Sequence, residues 1–204
     1  MKKILVVMVV ALCAVFSVNA IGPEFGVKAG VSFANGVFGE NMEFTMFDNP
    51  LKVGITGGLM MEMPLGPVAL GAELLYTPKG EKYVYGDDFS LSFNLDYIEV
   101  PVIAKITFLP LVKVYGGVSF GYMVNDTIKW EEGNESGEES FDEFTDGEVE
   151  LNKMEMGVIM GVQVKISKLV FDARYNHGLT DIVKDNEGDA YQLRTLYATV
   201  GLTF

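Results

Sequence analysis

Apolar and polar residues alternate along most of the chain, rather than recurring every three or four positions. Between Phe25 and Phe33 every second residue is apolar, and the residues between them, such as Lys28 and Ser32, are polar or glycine. Successive side chains of a β-strand point to opposite sides. This segment is therefore predicted to be a strand with one apolar face and one polar face.

The same alternation recurs in seven later segments, so the sequence predicts eight strands in all. A tilted strand crosses a bilayer with about 9 to 11 residues, and the segments are close to that length. Beyond the first 20 residues no apolar run approaches the roughly 18 residues of a membrane helix. The seven later segments are 53–63, 68–77, 97–107, 114–122, 155–165, 169–176 and 195–204.

The predicted connections alternate between long and short. Outer-membrane barrels join their strands by tight periplasmic turns on one side and extended loops on the other. An even number of strands returns both termini to the side of the tight turns. The sequence therefore predicts an all-β fold, an eight-stranded antiparallel up-and-down transmembrane β-barrel. Its long connections are predicted at 36–51, 79–94, 125–152 and 177–190, and its short ones at 64–67, 109–112 and 167–168.

The composition of the polar faces favours a membrane barrel over a soluble one. A soluble barrel turns its apolar face inward, whereas an outer-membrane barrel turns it towards lipid. Here the polar faces are rich in glycine, serine and threonine and carry few charges, which suits a narrow filled lumen. The charged side chains expected to point into that lumen are Glu62, Glu73, Glu99, Lys105, Glu155, Lys165, Asp172 and Arg174.

Those inward charges allow two interpretations, an ion path through a small channel or a set of ion pairs that fills the lumen. Eight strands enclose a space just wide enough for side chains to fill. An unpaired charge inside it is costly. We therefore expect paired charges.

Two local features of the strands carry further expectations. Tyr76, Tyr97, Tyr122 and Tyr175 lie near predicted strand ends and resemble an interfacial aromatic girdle. Pro101 falls inside the fourth strand, where proline cannot donate a ladder hydrogen bond. We expect a β-bulge near the outer half of this strand.

The N-terminal residues have the pattern of a secretory signal peptide. Lys2 and Lys3 precede an apolar run from Ile4 to Val18, and the small residue Ala20 follows shortly after. A membrane anchor is the competing interpretation, but the run is short and no stop-transfer pattern follows. Residues 1–20 are predicted to be a cleavable signal peptide and residues 21–204 the barrel domain.

Composition narrows the function. Cleavage after Ala20 would leave 184 residues without cysteine, and 13 basic against 28 acidic residues give a formal charge of −15. Neither a disulfide framework nor a thiol nucleophile is then available, and a nucleic-acid partner is not expected. The chain has no nucleotide fingerprint or metal-ligand cluster. No catalytic, cofactor-binding or metal residue is therefore predicted.

The segment from Asn125 to Asn152 is unusually acidic. Between Asp126 and Glu150 it holds 11 acidic residues against the single Lys129, with aromatic residues interspersed. We expect a solvated or partner-binding loop there, with divalent cations as hydrated counterions or as a bridge to lipopolysaccharide phosphates. A defined calcium loop starting at Asp142 is not expected, since Phe144 and Lys153 occupy ligand positions.

His177 is the only histidine and lies at the outer end of the seventh predicted strand. Some small outer-membrane barrels are lipid-modifying enzymes with a rim histidine, so a pairing of His177 with Asp181 is one interpretation. The other interpretation is a histidine in a rim loop without a catalytic role. No serine lies close in sequence to complete a triad, which favours the second.

Three stretches carry a resemblance to known proteins. The final strand, Leu196 to Phe204, resembles the C-terminal signature by which the barrel-assembly machinery recognises outer-membrane proteins. Leu95 to Pro101 and Ala173 to Ile182 resemble the PorT-like outer-membrane β-barrel family. The resemblance implies a Gram-negative outer membrane, with lipid and lipopolysaccharide around the barrel, and is specific for architecture rather than activity.

Together these observations predict a non-enzymatic integral outer membrane protein. It would display long acidic extracellular loops for adhesion, envelope integrity or partner binding. The alternatives are a rim-located lipid-modifying enzyme that uses His177 and a small channel.

Overall fold

The computed structural model describes residues 22–38, 51–85, 89–132, 135–145, 149–184 and 190–204, so the predicted signal peptide lies outside the described residues. Within these ranges no helix is long and apolar enough to span a membrane. The elements are β1 (Glu24–Phe38), β2 (Lys52–Leu65), β3 (Val68–Tyr85), β4 (Phe89–Leu109), β5 (Val112–Glu132), β6 (Glu135–Ser140), α1 (Phe141–Phe144), β7 (Met154–Ile166), β8 (Leu169–Gly178) and β9 (Tyr191–Thr203).

Eight of these strands close into an antiparallel ring. Each strand pairs with the next one along the chain, except that β5 pairs with β7, and β6 lies outside the ring on the edge of β5. The ring closes where β1 pairs with β9, from Gly26 opposite Thr203 to Phe38 opposite Tyr191. The predicted eight-stranded up-and-down barrel is confirmed.

The two faces of the wall lie as predicted. The polar faces point inward and bury their charged side chains, whereas large apolar side chains stand exposed on the outside of every ring strand. Such a surface would be unfavourable in water and is what a lipid-facing band requires. One exposed example from each strand is Val27, Ile55, Leu74, Val102, Val118, Met160, Phe171 and Val200.

The connections at one end of the barrel are short, as predicted. Turns at 66–67, 110–111 and 167–168 join β2 to β3, β4 to β5 and β7 to β8. Gly66 has a φ of 77° in the first of these turns, a conformation that a residue with a Cβ rarely adopts. Both termini of the barrel lie at this end, because β1 begins and β9 ends there.

At the other end of the barrel the strands extend further than the sequence predicted. The connections predicted at 79–94 and 125–152 are largely strand, since β3 reaches Tyr85, β4 begins at Phe89 and β5 runs to Glu132. β4 and β5 have 21 residues each, about twice what a bilayer crossing needs. The first and last long connections leave residues 39–50 and 185–189 outside the described ranges.

A β-bulge lies where the wall extends beyond the apolar band. The register of β4 and β5 shifts between Asp96 and Tyr97, so that Asp96 pairs with Asn125 and Tyr97 with Met123. Val124 is the extra residue on β5. Because a one-residue shift changes which side chains face inward, Ile128 is buried here at 0% exposure.

One local expectation holds in part and another was wrong. The bulge expected near the outer half of the fourth strand is present at Asp96 and Tyr97, but not at Pro101 itself, which pairs with Ser119 in an unshifted register. Tyr97 does not belong to an outer girdle. Its side chain points into the barrel and is 0% exposed, because it lies on the same face of β4 as Glu99.

Candidate functional site at the outer end of the barrel

The lumen near the short turns holds the short-turn layer, formed by Glu62, Lys105, Lys113 and Gln163. The Lys105 ammonium lies 2.8 Å from Glu62 Oε2 and donates a hydrogen bond of 2.5 Å to Gln163 Oε1. Lys113 pairs with the other oxygen of Glu62. Two lysines from β4 and β5 therefore neutralise one glutamate of β2.

The middle layer of the lumen is formed by Lys28, Glu73, Tyr115, Asp172 and Arg174. Arg174 Nη2 donates to both oxygens of Glu73 at 2.9 and 2.8 Å, and Lys28 lies 3.3 Å from Glu73 and 3.2 Å from Asp172. The Tyr115 hydroxyl donates to Asp172 at 2.6 Å. Two cations and two carboxylates thus balance within one layer that joins β1, β3, β5 and β8.

The outer layer of the lumen is formed by Lys79, Glu99, Glu155 and Tyr197. The Lys79 ammonium, which is 0% exposed, lies 2.6 Å from Glu99 and 2.9 Å from Glu155. The Tyr197 hydroxyl donates to the second oxygen of Glu99 at 2.8 Å. One ammonium from β3 is therefore shared by two buried carboxylates, one from β4 and one from β7.

Seven of the eight charged residues expected in the lumen are buried there, and each makes an ion pair. The eighth, Lys165, is half-buried at the short-turn rim, where it lies 2.5 Å from Glu24. Three cations of this network were not predicted. Lys28 lies on the polar face of the first predicted strand, which is a signal that could have found it. Lys79 fell in a segment predicted to be a connection, and Lys113 fell between the connection predicted at 109–112 and the strand predicted at 114–122.

Above the outer layer the interior of the barrel becomes apolar. Leu95, Tyr97, Met123, Ile182 and Leu193 pack into one buried cluster, against which Leu151 and Tyr191 also pack. The Tyr97 ring joins this apolar cluster to the layer below, since its centroid lies 5.0 Å from Lys79 Nζ. The interior of the barrel therefore changes from ion-paired side chains to a hydrophobic cluster.

A cavity of about 200 Å³ opens among these apolar side chains; we call it the mouth cavity. It lies at the outer end of the barrel, between the extended parts of β3 and β4, helix α1, the segments before β7 and after β8, and the start of β9. The residues that line it are Gly80, Glu81, Phe93, Leu95, Phe141, Leu151, Ile182, Val183, Tyr191 and Leu193.

Two chain segments that cross the mouth are tied together by backbone pairing. Leu151 forms a β-bridge with Val183, and Asn152 donates its backbone N–H to the carbonyl of Ile182 at 2.7 Å. At the surface, Lys184 Nζ lies 2.5 Å from Glu150. Its hydrogen bond and its charge lower the pKa of the exposed Glu150 carboxyl. The end of the acidic segment is thereby fixed over the lumen.

The described residues of the acidic segment before residue 145 form secondary structure rather than an open loop. β6 pairs with the end of β5, and the ring of Trp130 lies so close over Gly137 that a Cβ at residue 137 would collide with it. Ser140 caps α1 by accepting a hydrogen bond from the Glu143 amide. Glu138 and Glu139 of β6 are exposed, and Lys129 forms an ion pair of 3.0 Å with Glu138.

His177 lies on the outward face of β8 at the outer rim, and it does not pair with Asp181. Its Nδ1 lies 3.1 Å from the hydroxyl of Tyr175, while Asp181 Oδ1 accepts hydrogen bonds from the amides of Val183 and Tyr191. No group of three or more potential metal ligands occurs in the described ranges. The calcium-like stretch that begins at Asp142 falls partly outside the described residues, at 146–148.

Comparisons with solved structures agree with the barrel. The crystal structure of neisserial surface protein A (NspA) matches with a TM-score of 0.52 and 17% identity, over 90% of this chain and 99% of that chain. At this identity the likeness shows the fold alone. Ail, the attachment invasion locus protein of Yersinia pestis, matches with a TM-score of 0.48 and 15% identity, over 89% of this chain and 98% of that chain. No curated protein matches the chain.

A family model is more decisive than these structures. The model described as "Outer membrane protein beta-barrel domain" matches residues 19–184, which is more than half of the chain. The match is to the general barrel domain, so the narrower PorT-like assignment stays a prediction. The chain belongs to the outer membrane protein β-barrel domain family, whose location is the outer membrane.

Proposed function

We propose that this chain is a non-enzymatic outer membrane protein that binds a partner at the cell surface through its acidic outer sheet. This sheet consists of β6 and of the outer ends of β3, β4 and β5, away from the short turns. One observation carries the proposal. The barrel wall continues past its lipid-facing band as an ordered antiparallel sheet, and the last strand of that sheet is acidic. An ordered sheet loses less conformational entropy on binding than a flexible loop does.

The orientation follows from the path of the chain. Both termini of the barrel and all three short turns lie at one end, which would face the periplasm in a protein exported through a cleavable signal peptide. The acidic outer sheet would then face the exterior. At the periplasmic end, the last strand ending at Phe204 would serve the barrel-assembly machinery, while lipid and lipopolysaccharide surround the apolar band.

The filled lumen supports a scaffold rather than a channel. The short-turn, middle and outer layers each join strands that are not neighbours in the ring by ion pairs, and the apolar cluster lies above them. The contacts of His177 likewise give no support to an enzyme, because its ring nitrogen interacts with Tyr175 rather than with a carboxylate. Adhesion and envelope integrity remain the two settings in which such a surface would act.

The edge of β6 suggests how the partner binds. In the described part of the chain β6 pairs with β5 alone, so its outer edge presents backbone donors and acceptors. An extended segment can add to such an edge as another strand. The exposed Glu138 and Glu139 favour a basic partner or one bridged by divalent cations, and such an attraction weakens as salt screens it.

Site-specific photocrosslinking in intact cells tests this proposal. A photoreactive residue at the exposed Ser136 of β6 should give a discrete adduct with a cell-surface or extracellular protein, and the adduct should weaken at high salt. The same residue at Lys168, in an exposed short turn, is the matched control and should not form that adduct.

A charge variant completes the test. Replacing Glu138→Gln together with Glu139→Gln should reduce the Ser136 adduct, whereas Glu24→Gln at the opposite end should leave it unchanged. The proposal fails if Ser136 crosslinks only to lipid, or if the adduct is equally strong without the two β6 carboxylates. Heat-modifiable gel mobility verifies that each variant is folded.

A further inference from the structure

We infer that the mouth cavity is a binding site for a small aromatic molecule, one ring with a hydrogen-bond donor such as an amine or a phenol. This inference goes beyond the proposed partner binding, which uses the acidic outer sheet and does not need the cavity to be occupied. It rests on the volume of the cavity, on its apolar lining and on one buried carboxylate in its wall.

The volume and the lining fit a single ring. An apolar cavity of about 150 Å³ accepts benzene, so the mouth cavity, at about 200 Å³, has room for one ring and a small substituent. Phe93, Phe141 and Tyr191 contribute aromatic rings to its wall. Aromatic rings attract one another edge to face or in offset stacks, beyond the effect of burial alone. Flat ligands are therefore favoured over bulky aliphatic ones.

The carboxylate of Glu81 gives the cavity its polar specificity. Glu81 is 2% exposed, lines the cavity and accepts a hydrogen bond from the hydroxyl of Tyr191. A carboxylate has about four acceptor positions, so it can accept a donor from a ligand as well. Polar groups placed in an otherwise apolar pocket are what fixes a ligand's orientation.

The backbone before Glu81 shows why this side chain lies in the wall. Gly80 has a φ of 120°, and a Cβ at this position would collide with the carbonyl oxygen of Phe93 on β4. Only glycine lets β3 and β4 approach so closely here. The close approach holds Glu81 of β3 and Phe93 of β4 at the same level of the cavity wall.

The surrounding charge selects against anions. The stretch between Asp126 and Glu150 carries 11 acidic residues and one lysine. Phe141 within it and Leu151 directly after it border the cavity. A field of one sign concentrates ligands of the opposite sign and repels those of the same sign. An aromatic amine is therefore expected to bind more tightly than an aromatic carboxylate of the same size.

The mouth cavity is closed at its inner end, so it is not the entrance of a channel. Leu95 and Leu193 line the cavity and pack with Tyr97, whose ring lies over the Lys79 ammonium. Below them the outer layer joins the wall of β3 to those of β4 and β7. A ligand would therefore enter and leave from the exterior, as in a receptor.

Fluorine NMR of three matched probes tests the inference on the full chain in lipid nanodiscs without detergent. The probes are 4-fluorobenzylamine, fluorobenzene and 4-fluorobenzoate, and empty nanodiscs give the baseline for partition into lipid. We expect saturable binding of the amine, and binding of the benzoate at least about tenfold weaker, since a hydrogen bond to a charged group is worth that factor or more.

Two cavity variants locate the binding. Leu151→Trp should fill the half-buried edge of the cavity and abolish amine binding, whereas Leu111→Trp, in an exposed turn at the opposite end, should have no effect. Glu81→Gln keeps an acceptor for Tyr191 but removes the charge. It should weaken amine binding by about tenfold and leave fluorobenzene binding unchanged.

Several results would overturn the inference. Amine signals that match those of empty nanodiscs would show that the cavity binds no such ligand. Binding that persists in a folded Leu151→Trp variant would place the probe in the lipid-facing wall. Equal binding of amine and benzoate, or an unchanged Glu81→Gln variant, would remove Glu81 as the polar determinant. None of these results would affect the Ser136 adduct, so the two proposals fail independently.

Discussion

The side chains buried inside this barrel differ in polarity between its two ends. Between the short turns and the outer layer the buried side chains are charged and paired, as in the contacts of Lys28 and Arg174 with Glu73. Above the outer layer an apolar cluster that includes Leu95 and Met123 packs inside the barrel, with Glu81 as a buried charged residue beside it. The change occurs along single strands, without any change of fold.

The outside of the same strands changes in the opposite sense. Towards the short turns β4 exposes Val100 and Val102 on its outer face, whereas beyond Asp96 that face carries Asn94 and Ser92. The medium outside the wall, lipid or water, explains the polarity of the two faces in both parts of the barrel. Where the wall meets lipid, apolar residues face outward and the lumen holds polar groups, and where it meets water the usual burial of apolar residues returns. The change near Asp96 thus marks the outer boundary of the lipid-facing band.

Removing the shared cation of the outer layer should have the largest effect. Lys79→Met leaves Glu99 and Glu155 buried together without a counter-charge, and breaking a buried ion pair in this way costs about 3–5 kcal/mol. The free energy of unfolding, measured by denaturant titration of the lipid-reconstituted protein, should fall by that amount.

Two further variants test whether charge is the cause. Lys82→Met, on the opposite face of β3, should change the free energy of unfolding by less than about 1 kcal/mol. Adding Glu155→Gln to Lys79→Met should recover part of the loss, since one of the two unpaired charges is removed. A Lys79→Met protein as stable as the wild type would show that the outer layer is not held by its charge.

A charge placed on the outer face of β4 should distinguish the part of the wall that meets lipid from the part that meets water. Val102→Lys puts an ammonium into the lipid-facing band and should lower the free energy of unfolding by about 2–4 kcal/mol. Ser92→Lys makes a change on the same face of the same strand, but above Asp96, and should stay within about 0.5 kcal/mol. Equal losses in the two variants would contradict a boundary near Asp96.

The smallest effect is expected at the surface of the mouth. The pKa of Glu150 is lowered by Lys184, so this contact stabilises the fold at neutral pH and is lost as the pH falls through the lowered pKa. Lys184→Met should therefore lower the stability slightly at neutral pH, and this small difference from the wild type should disappear as the pH falls below the lowered pKa. Thermal unfolding from neutral to acidic pH, compared with that of the wild type, measures it. A large loss at neutral pH would mean that the mouth segments depend on this ion pair.

The barrel could be predicted because lipid imposes a simple pattern on the sequence. Wherever a strand crosses the bilayer, its apolar face points outward and its polar face inward, and the period of two identifies each crossing strand. The same rule located Glu73 and Arg174 in the lumen. It missed Lys79, which lies just beyond residue 77, where the third predicted strand ended. It also missed the outer parts of β3, β4 and β5, because there the polarity of the two faces is reversed, and a reversed strand with many charged residues resembles a loop.

The sequence by itself determined the number of membrane-crossing strands, the inward side of charged residues such as Glu73 and Arg174, and the end at which both termini emerge. These follow from the alternation of residues and from the lengths of the connections, which are local properties. Only the tertiary structure decided that Lys79 joins Glu99 to Glu155 and that Glu81 meets Tyr191 in an apolar mouth. Those contacts depend on the register of strands far apart in the chain, which alternation within one strand does not specify.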